Sequence, residues 1–88
     1  MKLLFCKDCQ DIIRLIDTKR TCRCGKVSGK YIDNIHVVYS GDNAVPIGFA
    51  NSTLRNAVLN QPIQGMGKEF IAFVMPKITK NIKKVDNF

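Results

Sequence analysis

The chain is poor in the groups that enzymes use. It has one histidine, His36, and seven acidic residues, and no set of side chains along it reads as nucleophile, base and orienting acid. Catalysis is therefore not expected. His36 itself falls in a strand pattern, as an ordinary strand residue rather than a ligand or base. No apolar run approaches the ~18 residues of a helical membrane span, which excludes a transmembrane helix. After Met1-Lys2 the apolar stretch Leu3-Leu4-Phe5 ends at Cys6 and a run of charges, far too short for the core of a signal peptide. A reducing, cytoplasmic location is expected. There is no internal repeat and no low-complexity tract. Gly65-Met66-Gly67-Lys68 lacks the glycine spacing of a phosphate loop, and Glu69 stands where Ser or Thr would meet magnesium. Asn51-Ser52-Thr53 matches a glycosylation sequon, which in a cytoplasmic protein is only a helix start.

What the chain does have is four cysteines in two close pairs, Cys6-Lys7-Asp8-Cys9 and Cys22-Arg23-Cys24-Gly25. Thiolates three apart on a tight turn can face one ion, and a second such turn completes the tetrahedral four-sulfur set that structural zinc prefers. Cys6, Cys9, Cys22 and Cys24 are thus the candidate ligands, and such a closed site holds structure rather than doing chemistry. Gly25 can take the positive φ that these turns often need. Two disulfides are the competing reading, disfavoured by a reducing compartment. A four-thiolate site can also hold iron, although no redox motif accompanies it.

These two pairs resemble the zinc ribbons, in which Cys-containing knuckles sit at the tips of β-hairpins. The resemblance covers about the first third of the chain and implies fold and metal more than activity, since ribbons serve nucleic-acid binding, protein docking and structural roles. The second pair, one residue shorter, departs from the usual CxxC-and-CxxC form. Gly29-Lys30-Tyr31-Ile32-Asp33 and Ala44-Val45-Pro46-Ile47-Gly48-Phe49-Ala50-Asn51-Ser52 look like segments of small proteins of bacteriophages and their hosts, a likeness that brings no mechanism.

Eighty-eight residues make one domain, read here as a ribbon part (1–30), a body (31–76) and a basic tail (77–88). A domain of this size buries little surface and benefits from a metal. The net charge of +7 is uneven: 1–30 holds eight Lys/Arg against three Asp, 31–76 two against three acids, and 77–88 four against one. Four thiolates on one Zn2+ would lower the total to about +5. A nearly neutral middle lies between two basic ends.

Residues 2–5 and 12–16 read as strands around the first knuckle, with Asp17-Thr18-Lys19 as a turn. A strand over 35–40 places Val37 and Tyr39 on one face, and Gly41-Asp42-Asn43 is a strong turn. Pro46 confines 44–50 to an edge strand or loop. One helix is predicted from Asn51 or Ser52, either serving as N-cap, to before Pro62, with an apolar stripe of Leu54, Val58 and Leu59 that packs on the sheet. Residues 62–68 form a loop and 70–75 a buried strand. Ile78, Ile82 and Val85 are spaced for one face of a marginal helix in a frayed tail. The predicted fold is α+β: ribbon hairpins joined to a small, mainly antiparallel sheet with one short helix.

Two functions are consistent with this pattern. The first is a protein-interaction module, a phage-type inhibitor or adaptor of a host protein, contacting its partner through Met66 and Lys68 in the glycine-flanked loop. Phe49 and Leu54 are assigned to the core. The alternative is nucleic-acid binding through Lys19, Arg20, Arg23, Lys26 and Lys30, with Tyr31 for stacking and further contacts from Lys7, Arg14 and the tail lysines. The neutral middle favours the protein-binding module.

Overall fold

In the computed structural model, which describes residues 2–86 and 88, the chain folds as two four-stranded sheets packed face to face, with one helix standing outside them. The strands are β1 (Lys2–Cys6), β2 (Ile12–Arg14), β3 (Arg20–Thr21), β4 (Ser28–Tyr31), β5 (Val37–Ser40), β6 (Ala44–Phe49), β7 (Ala72–Val74) and β8 (Ile82–Lys84), and the helix is α1 (Asn51–Leu59). The first sheet has the order β2-β1-β6-β7 and the second β3-β4-β5-β8. All pairings are antiparallel except β5 with β8. The class is α+β.

The core lies between the sheets. In the first, Ile13, Leu4 and Pro46 stand opposite one another on neighbouring strands and share a face. In the second, Gly29 faces Tyr39, and Tyr31, Val37 and Ile82 form the adjacent row. Leu4, Ile13, Leu15, Val37, Tyr39 and Ile82 join Cys6, Cys22 and Val27 in one buried cluster. Val37 and Tyr39 are buried while Val38 is not, so the period of two read from residues 35–40 holds, with His36 just ahead of the strand. Gly29 lets the sheets approach. A Cβ there would lie 2.6 Å from Leu4 Cδ1 and 2.9 Å from Leu15 Cδ2. The turn at Gly41-Asp42-Asn43 carries the chain from the second sheet to the first.

Five expectations are corrected. Pro46 lies within β6, which is flanked by β1 and β7 and is not an edge strand. Met75 N–H donates to Pro46 O at 2.9 Å, just past the end of β7, so the face of Pro46 that lacks an N–H is turned to the frayed end of a three-residue strand. The helix occupies the expected residues, but its N-cap is Ala50, without a side-chain cap, and none of its residues is buried. Leu54 and Phe49 are half-buried. The strand expected over 70–75 shrinks to β7, and all three of its residues are exposed. The tail is not helical: β8 runs parallel to β5 and places Ile82 in the core. The apolar spacing in the tail fits a helix face, but long-range pairing with β5 overrides so weak a local preference.

Candidate metal centre

Each cysteine pair sits in the turn of a hairpin, the first between β1 and β2 and the second between β3 and β4. The two turns close alike. Cys6 N–H donates to Asp11 O at 2.9 Å and Cys22 N–H to Val27 O at 2.9 Å, so each turn joins a cysteine to the fifth residue after it. Within each, the residue after the second cysteine donates back to the first cysteine's carbonyl, Gln10 N–H to Cys6 O at 2.8 Å and Gly25 N–H to Cys22 O at 3.0 Å. Those two residues have positive φ, 61° at Gln10 and 82° at Gly25. The shorter spacing of the second pair therefore leaves the overall turn unchanged.

The sulfurs converge. All four lie within 4.8 Å of one another, and Cys24 Sγ is 3.7 Å from Cys6 Sγ and 3.4 Å from Cys22 Sγ. The edge of a sulfur tetrahedron with metal–sulfur bonds of ~2.3 Å is ~3.8 Å, so the spacing suits one tetrahedral ion. No disulfide joins the four cysteines in this structure. Cys6 and Cys22 are buried, Cys9 is half-buried and Cys24 is exposed, so the cluster is rooted in the core and reaches the surface on one side.

Backbone amides prepare the sulfurs for negative charge. Val27 N–H points at Cys22 Sγ at 3.4 Å. Burial pushes the Cys22 thiol up, but that amide and hydrogen bonds from the other three thiols hold it at about 6. Cys9 is likewise lowered, with burial opposing the amide of Asp11 and the bonds from Cys24. Cys24 takes the opposite course: the Lys26 amide lowers it, yet desolvation and three neighbouring thiols raise it to about 12. The exposed Cys24 thus resists losing its proton until a cation neutralises the cluster.

Asp8 and Asp11 fasten the two turns together. Asp8 Oδ2 pairs with Lys26 Nζ at 2.8 Å, and Asp11 Oδ2 accepts Arg23 N–H at 3.0 Å. Sequence reasoning counted these carboxylates only in the charge balance of residues 1–30. Their place inside and just after the first pair was the available signal.

The other candidate residues are dispersed. Lys19 donates to Phe88 O at 3.2 Å, and the ammonium groups of Lys19 and Lys30 lie 5.1 Å and 5.9 Å from the Phe88 ring centroid. Lys2 Nζ is 5.8 Å from the Tyr31 ring centroid. Arg20 donates to Arg14 O at 3.4 Å, and Lys26 is engaged by Asp8. Each of these contacts is intramolecular. Met66 is fully in solvent, and Lys68 lines a shallow cleft with Thr53, Asn56 and Phe70. A larger cleft of about 350 Å³ between the sheets has three lysines at its walls, one of them, Lys84, paired with Asp42 at 2.7 Å. His36 Nδ1 meets Asp33 Oδ2 at 2.8 Å, and the Asp33 carboxyl is lowered by the amides of Ile35 and His36. That pair belongs to the turn before β5. His36 is not one of the clustered ligands.

Comparison of the chain with protein-family models, with curated proteins and with solved structures finds no match. Fold and site by themselves define a small α+β protein whose four-cysteine cluster can hold a metal ion. No helix among the described residues is long and apolar enough to cross a membrane.

Proposed function

We propose that the chain is a non-enzymatic zinc protein of the zinc-ribbon type, in which a structural Zn2+ ties two hairpin tips and the body presents a protein-docking surface. The convergence of four sulfurs at tetrahedral spacing carries the metal assignment. The four-thiolate set suits zinc and iron alike, and zinc is favoured because no redox motif accompanies the cluster. Metal analysis of protein purified from the cytoplasm should give one zinc per chain, and a red, iron-loaded protein would overturn the assignment.

Docking is supported by the exposed apolar residues that follow β6, Met66 among them. A phage-encoded inhibitor or adaptor acting on a host protein is the concrete form of this reading, and a reducing cytoplasm suits the free thiols. Capture from host lysate with zinc-loaded protein tests it. One protein should remain bound through nuclease treatment and high salt. Retention that disappears with nuclease or salt would transfer the function to nucleic acid.

A further inference from the structure

We infer that the docking surface takes a second copy of this chain, through the arm formed by α1, the loop after it and β7. The proposal rests on the docking reading above and names the occupant. Every residue from 58 to 74 is exposed, including apolar side chains that a monomer this small has little reason to leave in water: Ile63 at 104%, Met66 at 94% and Leu59 at 74% of full exposure. The arm is held by the pairing of β7 with β6 and by a neck before it. There Ala50 N–H donates to Ile71 O at 2.8 Å, Ile71 N–H donates to Thr53 Oγ1 at 2.9 Å, and Phe49 meets Phe70 edge to face at 5.3 Å. Beyond the neck, α1 is a nine-residue helix with no buried residue and no side-chain cap. A helix that short is marginal in water without packing.

Surface area says how much packing is missing. The accessible surface of the chain is 6440 Å². A folded monomer of 9.9 kDa is expected to expose about 5,200 Å², which leaves an excess of roughly 1,200 Å². The radius of gyration, 14.4 Å, likewise exceeds the ~12 Å of a compact domain of this length. Two copies covering that excess would bury about 2,400 Å² between them, the scale of a stable homodimer.

Charge leaves the arm open to a second copy. Two chains of net +7 repel, and they can meet only where few of those charges lie. Residues 51–76 carry Arg55, Lys68 and Glu69, a net +1, so the remaining +6 sits outside the arm. β7 supplies the symmetric element. It is the edge of its sheet among the described residues, and an antiparallel pair of such edges is related by a two-fold axis.

Sedimentation of the zinc-loaded full chain over a concentration series tests this. The expected species has twice the chain mass and dissociates on dilution. Ile63→Glu with Met66→Glu alters only exposed side chains, so zinc content and melting of the monomer should be unchanged, while the dimer dissociation constant rises at least ~30-fold. Wild type that stays monomeric at several hundred micromolar would overturn self-association, and a double variant that associates as wild type does would overturn the arm as its interface. If that same monomer captures a host protein in an arm-dependent way, the docking reading stands and the second copy falls. If it captures nothing, both fall.

Discussion

Gln10 and Gly25 occupy equivalent places after the second cysteine of each turn, and both have positive φ. Glycine reaches that region without cost, whereas a residue with a Cβ loses ~1–2 kcal/mol there. Gln10→Gly should therefore stabilise the metal-loaded protein by about 1 kcal/mol, and Gly25→Ala should destabilise it by a similar amount. Nothing lies within 4 Å of where the Gly25 Cβ would be, so backbone strain accounts for the second effect. Urea unfolding of both variants checks the pair, and equal midpoints would mean that the turns do not need this geometry. The thiols set a pH dependence. Cys22 is held at about 6, below an ordinary thiol, so its contribution to stability is complete above the ordinary range and is lost as pH falls through 6. Cys24, raised to about 12, contributes below the ordinary range and loses its contribution only at strongly alkaline pH. Once a metal is bound all four are thiolates, and protons compete with it. The loaded protein should lose stability and release its ion as pH is lowered from about 8 to about 5. A dye assay for free metal across that range would read this, and a flat profile would contradict it.

At the scale of elements, the four-cysteine cluster was legible because ligand spacing is local: a cysteine pair in a turn needs only its own few residues to face an ion. The alternation in β5 was legible for the same reason. The fate of the tail was not. Ile82 carries no local sign that its strand will lie beside β5, and only the sheet shows that it fills the core. Ile82→Ala should thus cost roughly 2–4 kcal/mol, as a core truncation does, whereas the exposed Ile78 should tolerate the same change at well under 1 kcal/mol. Comparable melts for the two variants would return the tail to the status of an appendage. Pro46 was misread because missing donors count only on the side where a partner needs them, and that side is set by a strand some thirty residues later.

At the scale of the molecule, the cysteine cluster and the two sheets are one system. β1, which ends at Cys6, lies between β2 and β6, and the second cysteine pair enters the second sheet, so the cluster joins both layers. Removing the metal should therefore loosen the whole sandwich rather than the first thirty residues alone. Structural zinc contributes on the order of 10–16 kcal/mol in small peptides, comparable with or above the net stability of a small domain. Chelator should abolish the dispersed amide spectrum throughout, including the β5 and β8 signals, and Cys24→Ser should weaken metal binding by orders of magnitude. Survival of the β5 and β8 signals in chelator would show that the second sheet stands by its own packing.

The sequence by itself determined the four cysteines that cluster, the two turns, the position of the helix and the buried face of β5. Each of these follows from spacing within a few residues, and local periodicity is enough to fix it. Only the tertiary structure decided which strands are neighbours, that Asp8 and Asp11 brace the opposite turn, that Ile82 enters the core, and that the arm stays uncovered. Those outcomes depend on residues far apart in the chain competing for the same buried surface. The volume between two small sheets admits only part of the apolar chain, and the helix and its loop are the part left outside.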